Sequence, residues 1–378
     1  MKGNFTQNPA YFQLTLFADY GRLRYLFFTL CLLIYIMIIS ANMVIIITIM
    51  LERSLHQPMF IFICCLSVNS LYGSAGFFPR FLVDLLSDSH LVSRPCCFTQ
   101  IYVIYTYASY EFTILGVMAY DRFVAICQPL HYHTKITIRK AVFLWGIAVV
   151  YPAFAIGYGV SLSVQLPLCG NKLPRIFCSN WPVVKKSCVD TTHNNAVGQF
   201  VTVTTIFIPL LFVLFSYVQI LIVCKTASAE LRGKALQTCV PHLVTFVTYS
   251  FSVFLELSLT RFDTNKINPI VTAVLSLEYL MVPSINNPLI YGLKLPQIRA
   301  AVYQRFKIKT FAFVRFYFGR RGYTRLRLHR VQLQTAWVPG NTRRYLDLVR
   351  MVVMNLKSGA GRGGPVAAPP PGQEAWTD

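Results

Sequence analysis

An aspartate and an arginine stand side by side near the end of a long apolar stretch, in the segment MAYDRFVAICQPLHY, Met118–Tyr132. Asp121 and Arg122 can pair as carboxylate and guanidinium. In a low-dielectric setting such a pair is a two-state element, because the arginine can hold its carboxylate or leave it for other partners. The simpler interpretation is a pair at the membrane interface, in which the arginine reaches out to water. The elements that carry the pair decide between these interpretations.

The stretches that position this pair are long enough to cross a membrane. Of the 378 residues, 55% are hydrophobic and only 13% charged, about half the charged fraction of a soluble protein. A spanning helix needs about 20 apolar residues, and seven segments reach or approach that length. They are residues 25–51, 58–79, 96–120, 141–168, 196–224, 240–255 and 267–293. The sequence therefore predicts an all-α membrane protein, a bundle of seven transmembrane helices.

Lysines and arginines in the loops leave the orientation of this bundle nearly balanced, because both sides carry them. Two features favour an outside N-terminus. Asn4 begins the glycosylation sequon NFT, and the segment from Arg299 onward carries fifteen lysines and arginines against three acidic residues. Much of the net charge of +21 therefore belongs to a predicted cytoplasmic tail. Its expected partner is anionic lipid rather than nucleic acid.

Five of the eleven cysteines fall on the predicted outer side, at the start of the third span and in the loop CGNKLPRIFCSNWPVVKKSC. They are Cys96, Cys97, Cys169, Cys178 and Cys188. An oxidising exterior favours disulfides among them, although the sequence does not fix the pairing and leaves one cysteine over. A zinc site is the disfavoured alternative, because no histidine lies at ligand spacing. No metal site is predicted here.

Several motifs, in their order along the chain, resemble those of odorant receptors in the rhodopsin-like, class A family of G-protein-coupled receptors. Met118–Tyr132 resembles the hallmark MAYDRYVAICxPLxY, with Phe123 where tyrosine is usual. The segment LHQPMFIFICCLSVNSLYGSAGFFPRF resembles the first loop and second span of fish-type members. SYVQIL, KALQTCVPHLV and PSINNPLIY resemble hallmarks at the ends of spans five, six and seven. The similarity covers roughly residues 20–310.

The resemblance implies a receptor for a small-molecule odorant that activates a heterotrimeric G protein, of the olfactory stimulatory type that raises cAMP. It also implies a switch in which Asp121 holds Arg122 at rest and Tyr217 and Tyr291 move towards Arg122 on activation. The proline of Asn287-Pro288 would kink span seven. Two disulfides are implied as well, and they leave Cys96 over: Cys97–Cys178 and Cys169–Cys188.

The ligand pocket of this family lies between the outer halves of spans three, five, six and seven. The matching positions are mostly apolar or aromatic, which suits a small organic ligand. They are Ile104, Tyr105, Ala108, Ser109, Val201, Thr205, Tyr249, Val253, Leu257, Arg261, Leu277 and Leu280. Because guanidinium groups bind carboxylates through two hydrogen bonds, Arg261 or Arg80 is a candidate partner for an anionic, water-soluble odorant. The alternative is that Arg80–Asp84 and the charges Glu256, Arg261 and Glu278 form salt bridges between helix ends.

A sodium ion is the one cofactor considered. Glu111 lies in the middle of span three, and an acid at membrane depth is a functional candidate. Ser70 occupies the position where most class A receptors carry an aspartate, so the resemblance implies a weakened site. Glu111 with Asn42, Ser70 and Asn287 could hold a cation or water. The plainer interpretation is a protonated Glu111 that is hydrogen-bonded to a neighbour.

The predicted organisation is an extracellular N-terminus (1–24), a seven-span receptor domain (25–293), an amphipathic eighth helix (294–310) and a basic tail (311–378) in a cell-membrane protein. The tail ends in a stretch rich in glycine, proline and alanine, and it is assigned no site. A transporter is disfavoured because no repeat relates spans one to three with spans four to six. An enzyme is disfavoured because the sequence shows no nucleophile–base set.

Overall fold

The computed structural model describes residues 8–17, 21–261 and 268–305. The predicted sequon at Asn4 and the predicted tail lie outside the described residues. Within them, seven long helices follow one another, and they are called span 1 to span 7 below. Their bounds are Leu23–Leu51, Pro58–Leu86, Arg94–Cys127, Ile138–Val164, Thr192–Thr226, Ala229–Arg261 and Pro269–Lys294. Each predicted segment overlaps one of these helices.

The bundle buries polar side chains within an apolar core and has an apolar exterior. Among the described residues, five helices are long and apolar enough to cross a membrane, and they belong to spans 1, 2, 4, 5 and 6. The polar residues of spans 3 and 7 point inward instead, as the buried side chains of Glu111 and Asn287 show. Large apolar side chains cover the outside, and Phe154 of span 4 is 77% exposed. A bilayer favours this distribution, because lipid cannot satisfy polar groups.

Prolines and capping side chains set where several spans begin. Pro58 is the first residue of span 2, and Pro95 lies in the first turn of span 3, where a missing N–H costs nothing. Thr137 caps span 4 and Asn268 caps span 7, each by accepting a backbone N–H of the first turn, at 3.3 and 2.9 Å. These four helices begin close to the predicted positions.

Span 5 contains a π-helical segment, Val203–Phe207, between the α-helical parts Thr192–Thr202 and Ile208–Thr226. Pro209 follows it closely and lacks the N–H that would bond to the carbonyl four residues back, so the regular ladder is interrupted there. The irregular turn directs Thr205 into the bundle, where it is buried.

A small three-stranded sheet covers one end of the bundle, which is called the outer end below; the end that carries Arg122 is called the inner end. Strand β1 (Tyr11–Leu14) lies in the centre, paired antiparallel with β2 (Leu91–Ser93) and parallel with β3 (Lys172–Leu173). Phe12 and Leu14 of β1 are buried in an apolar cluster beneath it, with both cysteines of one outer disulfide. The sequence did not predict this sheet, because strands of two to four residues show too little alternation. Part of the N-terminal segment therefore belongs to the folded domain.

A further helix follows span 7 over residues 296–305. Ile298 and Ala301, one turn apart, are buried against the bundle core, while Tyr303 is exposed, as in an amphipathic helix. This helix lies within the predicted eighth helix of residues 294–310, of which residues 306–310 lie outside the described part of the chain.

Spans 2 and 3 approach each other closely at Gly73, which faces the ring of Tyr107. We expect Gly73→Ala to destabilise the protein, because the added methyl group would overlap this buried ring and overpacking costs about 1–3 kcal/mol. Thermal unfolding of the detergent-solubilised protein measures the change. Gly146→Ala in span 4 is the matched control, since a Cβ there meets nothing within 4 Å. Equal unfolding temperatures for the two variants would contradict the close approach of spans 2 and 3.

Candidate functional site

Two disulfides shape the second outer loop, and one of them joins it to span 3. Cys97, near the start of span 3, is bonded to Cys178, and Cys169 is bonded to Cys188, with Cα atoms 5.4 Å apart in each pair. Cys96 is a free, exposed thiol. The structure thus joins the same cysteines that the resemblance implied. The loop between Cys169 and Cys188 is held over the outer ends of the spans.

A small cavity lies beneath this loop, between the outer halves of spans 3 to 7. Its volume of about 50 Å³ is small beside typical ligand pockets of about 300–1,000 Å³, so a larger ligand requires side-chain movement. Eight of the predicted lining residues line it: Ile104, Tyr105, Ala108, Ser109, Val201, Thr205, Val253 and Leu257. The prediction lacked the remaining wall residues: Ile156, Phe177, Thr202, Ile206, Glu256, Thr260 and Tyr279.

Hydroxyl groups form part of the cavity wall. Ser109 of span 3 donates a hydrogen bond to the Thr205 hydroxyl at 3.1 Å, and Thr205 donates to the Val201 carbonyl at 2.8 Å. The π-helical segment of span 5 brings Thr205 to this position. The wall is therefore mixed, with hydroxyl groups among apolar side chains.

The other four predicted lining residues do not line this cavity. Tyr249 lies deeper, where its hydroxyl donates to the Ala108 carbonyl at 3.0 Å. Leu280 is buried in the bundle core, and Leu277 lines a separate groove. Arg261 is exposed at the outer end of span 6. Sequence similarity places these residues on the correct helices, but it does not give the depth or the width of the cavity.

The two arginines considered for anion binding have other partners. Arg80 donates to both carboxylate oxygens of Asp84, at 2.9 and 2.6 Å. Arg261 donates to the Asn195 side chain at 2.7 Å, and its guanidinium carbon lies 4.5 Å from the centre of the Trp181 ring. Neither arginine lines the outer cavity. An anion in this cavity would therefore meet neither of them.

The charged pair at the cavity wall is one that the sequence analysis missed. Arg175 of the outer loop is 1% exposed and donates a hydrogen bond to Glu256 of span 6. The sequence had associated Glu256 with Arg261, which is nearer along the chain. The available signal was the position of Arg175 between Cys169 and Cys178, because a loop tied down by two disulfides must direct some side chains inward.

A polar cluster fills the middle of the bundle around Glu111 of span 3. One carboxylate oxygen accepts the Asn69 amide at 2.8 Å and the other accepts the Asn287 amide at 2.7 Å. The Asn287 amide also lies 3.4 Å from the Ser70 hydroxyl, and the Asn42 amide donates to a span 7 carbonyl at 3.1 Å. The structure therefore brings the four predicted residues into one region and adds Asn69, which the prediction lacked.

The cluster suits a hard cation or ordered water. Among the described residues, the side-chain oxygens of Asn42, Asn69 and Asn287 are buried and have no hydrogen-bond partner. Sodium and water both bind to oxygen atoms of this kind, and the Glu111 carboxyl group lies among them. The residues present therefore fit the sodium ion considered from the sequence.

At the inner end of span 3, Arg122 is paired with its neighbour Asp121. Its Nε donates to Asp121 Oδ2 at 3.0 Å, and an Nη group donates to the same oxygen. The other carboxylate oxygen accepts the Tyr132 hydroxyl at 2.9 Å. Burial and then the nearby Asp121 carboxylate raise the pKa of the Tyr132 phenol, so it remains a donor. Asp121 is 1% exposed, and its two carboxylate oxygens accept these hydrogen bonds from Arg122 and Tyr132.

Tyr217 of span 5 is bonded to span 6. Its hydroxyl lies 2.8 Å from His242 Nδ1, and His242 Nε2 lies 3.0 Å from the Leu115 carbonyl of span 3. A carbonyl can only accept, so Nε2 carries the proton and Nδ1 of the neutral ring accepts the phenol. This chain of hydrogen bonds links spans 5, 6 and 3. From the sequence, His242 was known only as part of the motif KALQTCVPHLV.

Span 7 carries the remaining predicted switch residues. Pro288 lies inside this helix, directly after Asn287, and removes one N–H from the backbone ladder. Tyr291 follows at the inner side and is 2% exposed. Helices bend most readily where the ladder is broken, so the inner part of span 7 is suited to movement.

Known proteins similar to this chain agree with its geometry. Residues 30–309 match the family model described as "Olfactory receptor". Olfactory receptor 51L1 of Homo sapiens is 35% identical over 284 residues, which cover 73% of this chain and 88% of that protein. Olfactory receptor 1M1 of Mus musculus is 34% identical over 280 residues, with coverages of 73% and 88%.

The fold is also found in a solved structure. The crystal structure of squid rhodopsin matches with a TM-score of 0.63 at 15% identity, covering 77% of this chain and 87% of that one. At this identity the likeness shows the seven-helix fold alone, whereas the sequence matches show the family. The chain therefore belongs to the olfactory receptor family, and it is a multi-pass membrane protein with the fold of G-protein-coupled receptors rather than an enzyme.

Proposed function

We propose that the protein is an odorant receptor that binds a small ligand in the outer cavity and activates a heterotrimeric G protein of the olfactory stimulatory type, which raises cAMP. The observation that carries the proposal is that span 3 builds both sites. Its outer half lines the cavity with Ser109, and its inner end holds the Asp121–Arg122 pair. Twelve residues of helix separate them, about 18 Å at 1.5 Å per residue.

The inner end of the bundle supports the proposal because its polar groups can exchange partners. Arg122 is held by Asp121, and Tyr217 is held by His242. In the active state Arg122 would leave Asp121, and Tyr217 and Tyr291 would meet it as span 6 moves outward. A ligand shifts this equilibrium only by its differential affinity for the two states. The cavity is suited to supply this difference, because span 6 contributes to its wall through Val253 and Leu257.

The disulfides support an orientation with the N-terminus outside. Both bridges lie at the end of the bundle where strand β1 packs, and disulfides persist in oxidising surroundings. The opposite end, with Arg122 and the helix over residues 296–305, would then face the cytoplasm and the G protein. The receptor would lie in the cell membrane.

The Glu111 cluster would hold a sodium ion or ordered water at mid-membrane. In the described part of the chain, Asn42, Asn69 and Asn287 have buried side-chain oxygens without a hydrogen-bond partner, and the bound group would supply the positive charge or donors that these oxygens lack. Asn287 lies directly before Pro288, where span 7 is suited to bend. A sodium ion or water bound in this cluster would therefore stabilise one arrangement of that helix. The anionic ligand considered from the sequence loses its two proposed partners, since Arg80 and Arg261 are bonded elsewhere.

Signalling by an Arg122 variant tests the function. In cells that express the olfactory stimulatory G protein, a panel of amino acids, bile salts and volatile alcohols provides the agonist. We expect Arg122→Ala to abolish agonist-dependent cAMP at normal surface density, because the switch loses the group that changes partners. Arg24→Ala is the matched control: it also removes an arginine bonded to an aspartate, Asp88, at 2.6 Å, but at the outer surface.

Two results would contradict the proposed function. One is an agonist response that is undiminished in Arg122→Ala. The other is a ligand-dependent ion current or substrate uptake without any G protein, which would indicate a channel or transporter. Epitope tags at the two termini test the topology. The N-terminal tag is expected outside and the C-terminal tag inside, and tags on the same face of the membrane are incompatible with seven spans.

A further inference from the structure

The ion pair at the cavity wall has unused hydrogen-bonding capacity. Arg175 donates to Glu256 through one nitrogen, and the two side chains are 1% and 9% exposed. Within the described part of the chain, Arg175 Nε and Nη1 have no hydrogen-bond partner, and neither has Glu256 Oε2. Buried charged groups are normally bonded through nearly all their donors and acceptors. A ligand that bonds to these three atoms would complete the pair.

One member of the pair lines the cavity, and the other lies behind its wall. Glu256 lines the cavity itself, beside the hydroxyl-bearing side chains of Thr260 and Tyr279. Arg175 contacts two wall residues, since it is bonded to Glu256 and its guanidinium carbon lies 5.2 Å from the centre of the Phe177 ring. Because these three atoms are buried even from the cavity, a ligand reaches them only when neighbouring side chains move. Its cationic group then meets Glu256 Oε2, and an acceptor on the same molecule that reaches past Phe177 meets the free N–H groups of Arg175.

The charge balance of the pair selects the class of ligand. One carboxylate and one guanidinium give the wall no net charge. A simple anion would bring a second negative charge beside Glu256, and a simple amine would bring a second positive charge beside Arg175; each would be buried without compensation. A molecule with both an ammonium and a carboxylate preserves neutrality. Its ammonium donates to Glu256 Oε2, and its carboxylate accepts from Arg175 Nε and Nη1.

We propose that the outer cavity recognises a small zwitterion, an α-amino acid with a short side chain, through Glu256 and Arg175. Because the cavity volume is about 50 Å³, even a short amino acid requires side-chain movement, and the smallest side chains require the least. The inference deepens the proposed function and rests on it only in taking the outer cavity as the ligand site. It assigns the charged contacts to Arg175 of the loop and Glu256 of span 6. The ligand would therefore bond to the helix that is proposed to move in activation.

Direct binding to purified receptor in nanodiscs tests this inference without any G protein. L-Alanine, propionate and ethylamine share a short carbon chain and differ in charge, so they are used as probes. We expect alanine to bind, and propionate and ethylamine to bind at least tenfold more weakly. Glu256→Gln and Arg175→Gln should each weaken alanine binding at least tenfold. Arg261→Gln, at the outer end of span 6 and outside the cavity, should leave alanine binding unchanged.

A double variant keeps the test decisive if a single change unfolds the receptor by leaving one charge buried alone. Arg175→Gln/Glu256→Gln replaces both charges by amides that can bond to each other. Alanine binding by this folded variant at wild-type affinity would overturn the inference. So would equal binding of propionate or ethylamine by the wild type, or no binding of alanine. An Arg122-dependent cAMP response to another ligand class, without alanine binding, would remove this inference and leave the proposed function in place.

Discussion

Loss of the disulfide between Cys97 and Cys178 is expected to remove most of the folded receptor from the cell surface. The bridge joins residues 81 positions apart, and in the chain-entropy treatment a closed loop of that length contributes about 4–5 kcal/mol. Domains are stable by only about 5–15 kcal/mol, so this loss is a large fraction of the total. Both cysteines also belong to the buried outer cluster beneath the sheet. The double variant Cys97→Ser/Cys178→Ser, which leaves no stray thiol, is measured by surface labelling and by thermal unfolding.

The neighbouring cysteines provide graded controls for this prediction. Cys169→Ser/Cys188→Ser opens a loop with a separation of 19 residues, for which the same treatment gives about 3 kcal/mol, so a smaller loss is expected. Cys96→Ser changes a free, exposed thiol and should behave like the wild type. If Cys96→Ser were as damaging as the Cys97 variant, the assigned pairing would be incorrect.

The spans and much of the cavity could be predicted from the sequence because their signals are long or periodic. An apolar run of about 20 residues is hard to mistake, and Pro58 or Thr137 marks where a helix begins. Each residue turns an α-helix by about 100°, so Val253 and Leu257, four residues apart, share a face. Both line the cavity. Tyr249 is four residues before Val253 on the same face, but it lies deeper than the cavity floor.

The same geometry explains why the partner of Glu256 was missed. Arg261 is five residues further along span 6, which places it about 140° around the helix from Glu256, so the two cannot both face the cavity. Glu256 bonds instead to Arg175, from a loop whose path is set by two disulfides and by strand β3. No periodic signal describes such a path. The contacts of this loop therefore could not be predicted from the sequence, although the cysteines that shape the loop could be identified there.

The polar centre was only partly predictable for a related reason. Asn69 and Ser70 are adjacent, so they point about 100° apart, and both are buried because neighbouring helices enclose span 2 on more than one side. A prediction that assumes one buried face of a helix assigns only one of two adjacent residues to the interior. How many sides of a helix are enclosed depends on the packing of the whole bundle.

Asp121→Asn should raise ligand-independent cAMP several-fold. The amide keeps the shape of the side chain and an oxygen for the Tyr132 hydroxyl, but it removes the charge that holds Arg122. Hydrogen bonds to charged groups contribute about 1.5–3 kcal/mol. Loss of even about 1–2 kcal/mol from the resting state changes the ratio of active to resting receptor roughly 5- to 30-fold. Basal cAMP, normalised to surface density, measures this change.

Asp84→Asn is the matched control for this last prediction, because Asp84 has an equally buried side chain and is also paired with an arginine, but at the outer end of span 2. It should not raise basal cAMP, since Arg80 is not part of the inner switch. Tyr132→Phe removes one hydrogen bond to Asp121 and keeps its charge, so a smaller rise is expected. Normal basal cAMP in a well-expressed Asp121→Asn receptor would contradict the holding role of the carboxylate. Adding Arg122→Ala to Asp121→Asn should return basal cAMP to the background, because the released guanidinium is the group that must reach Tyr217.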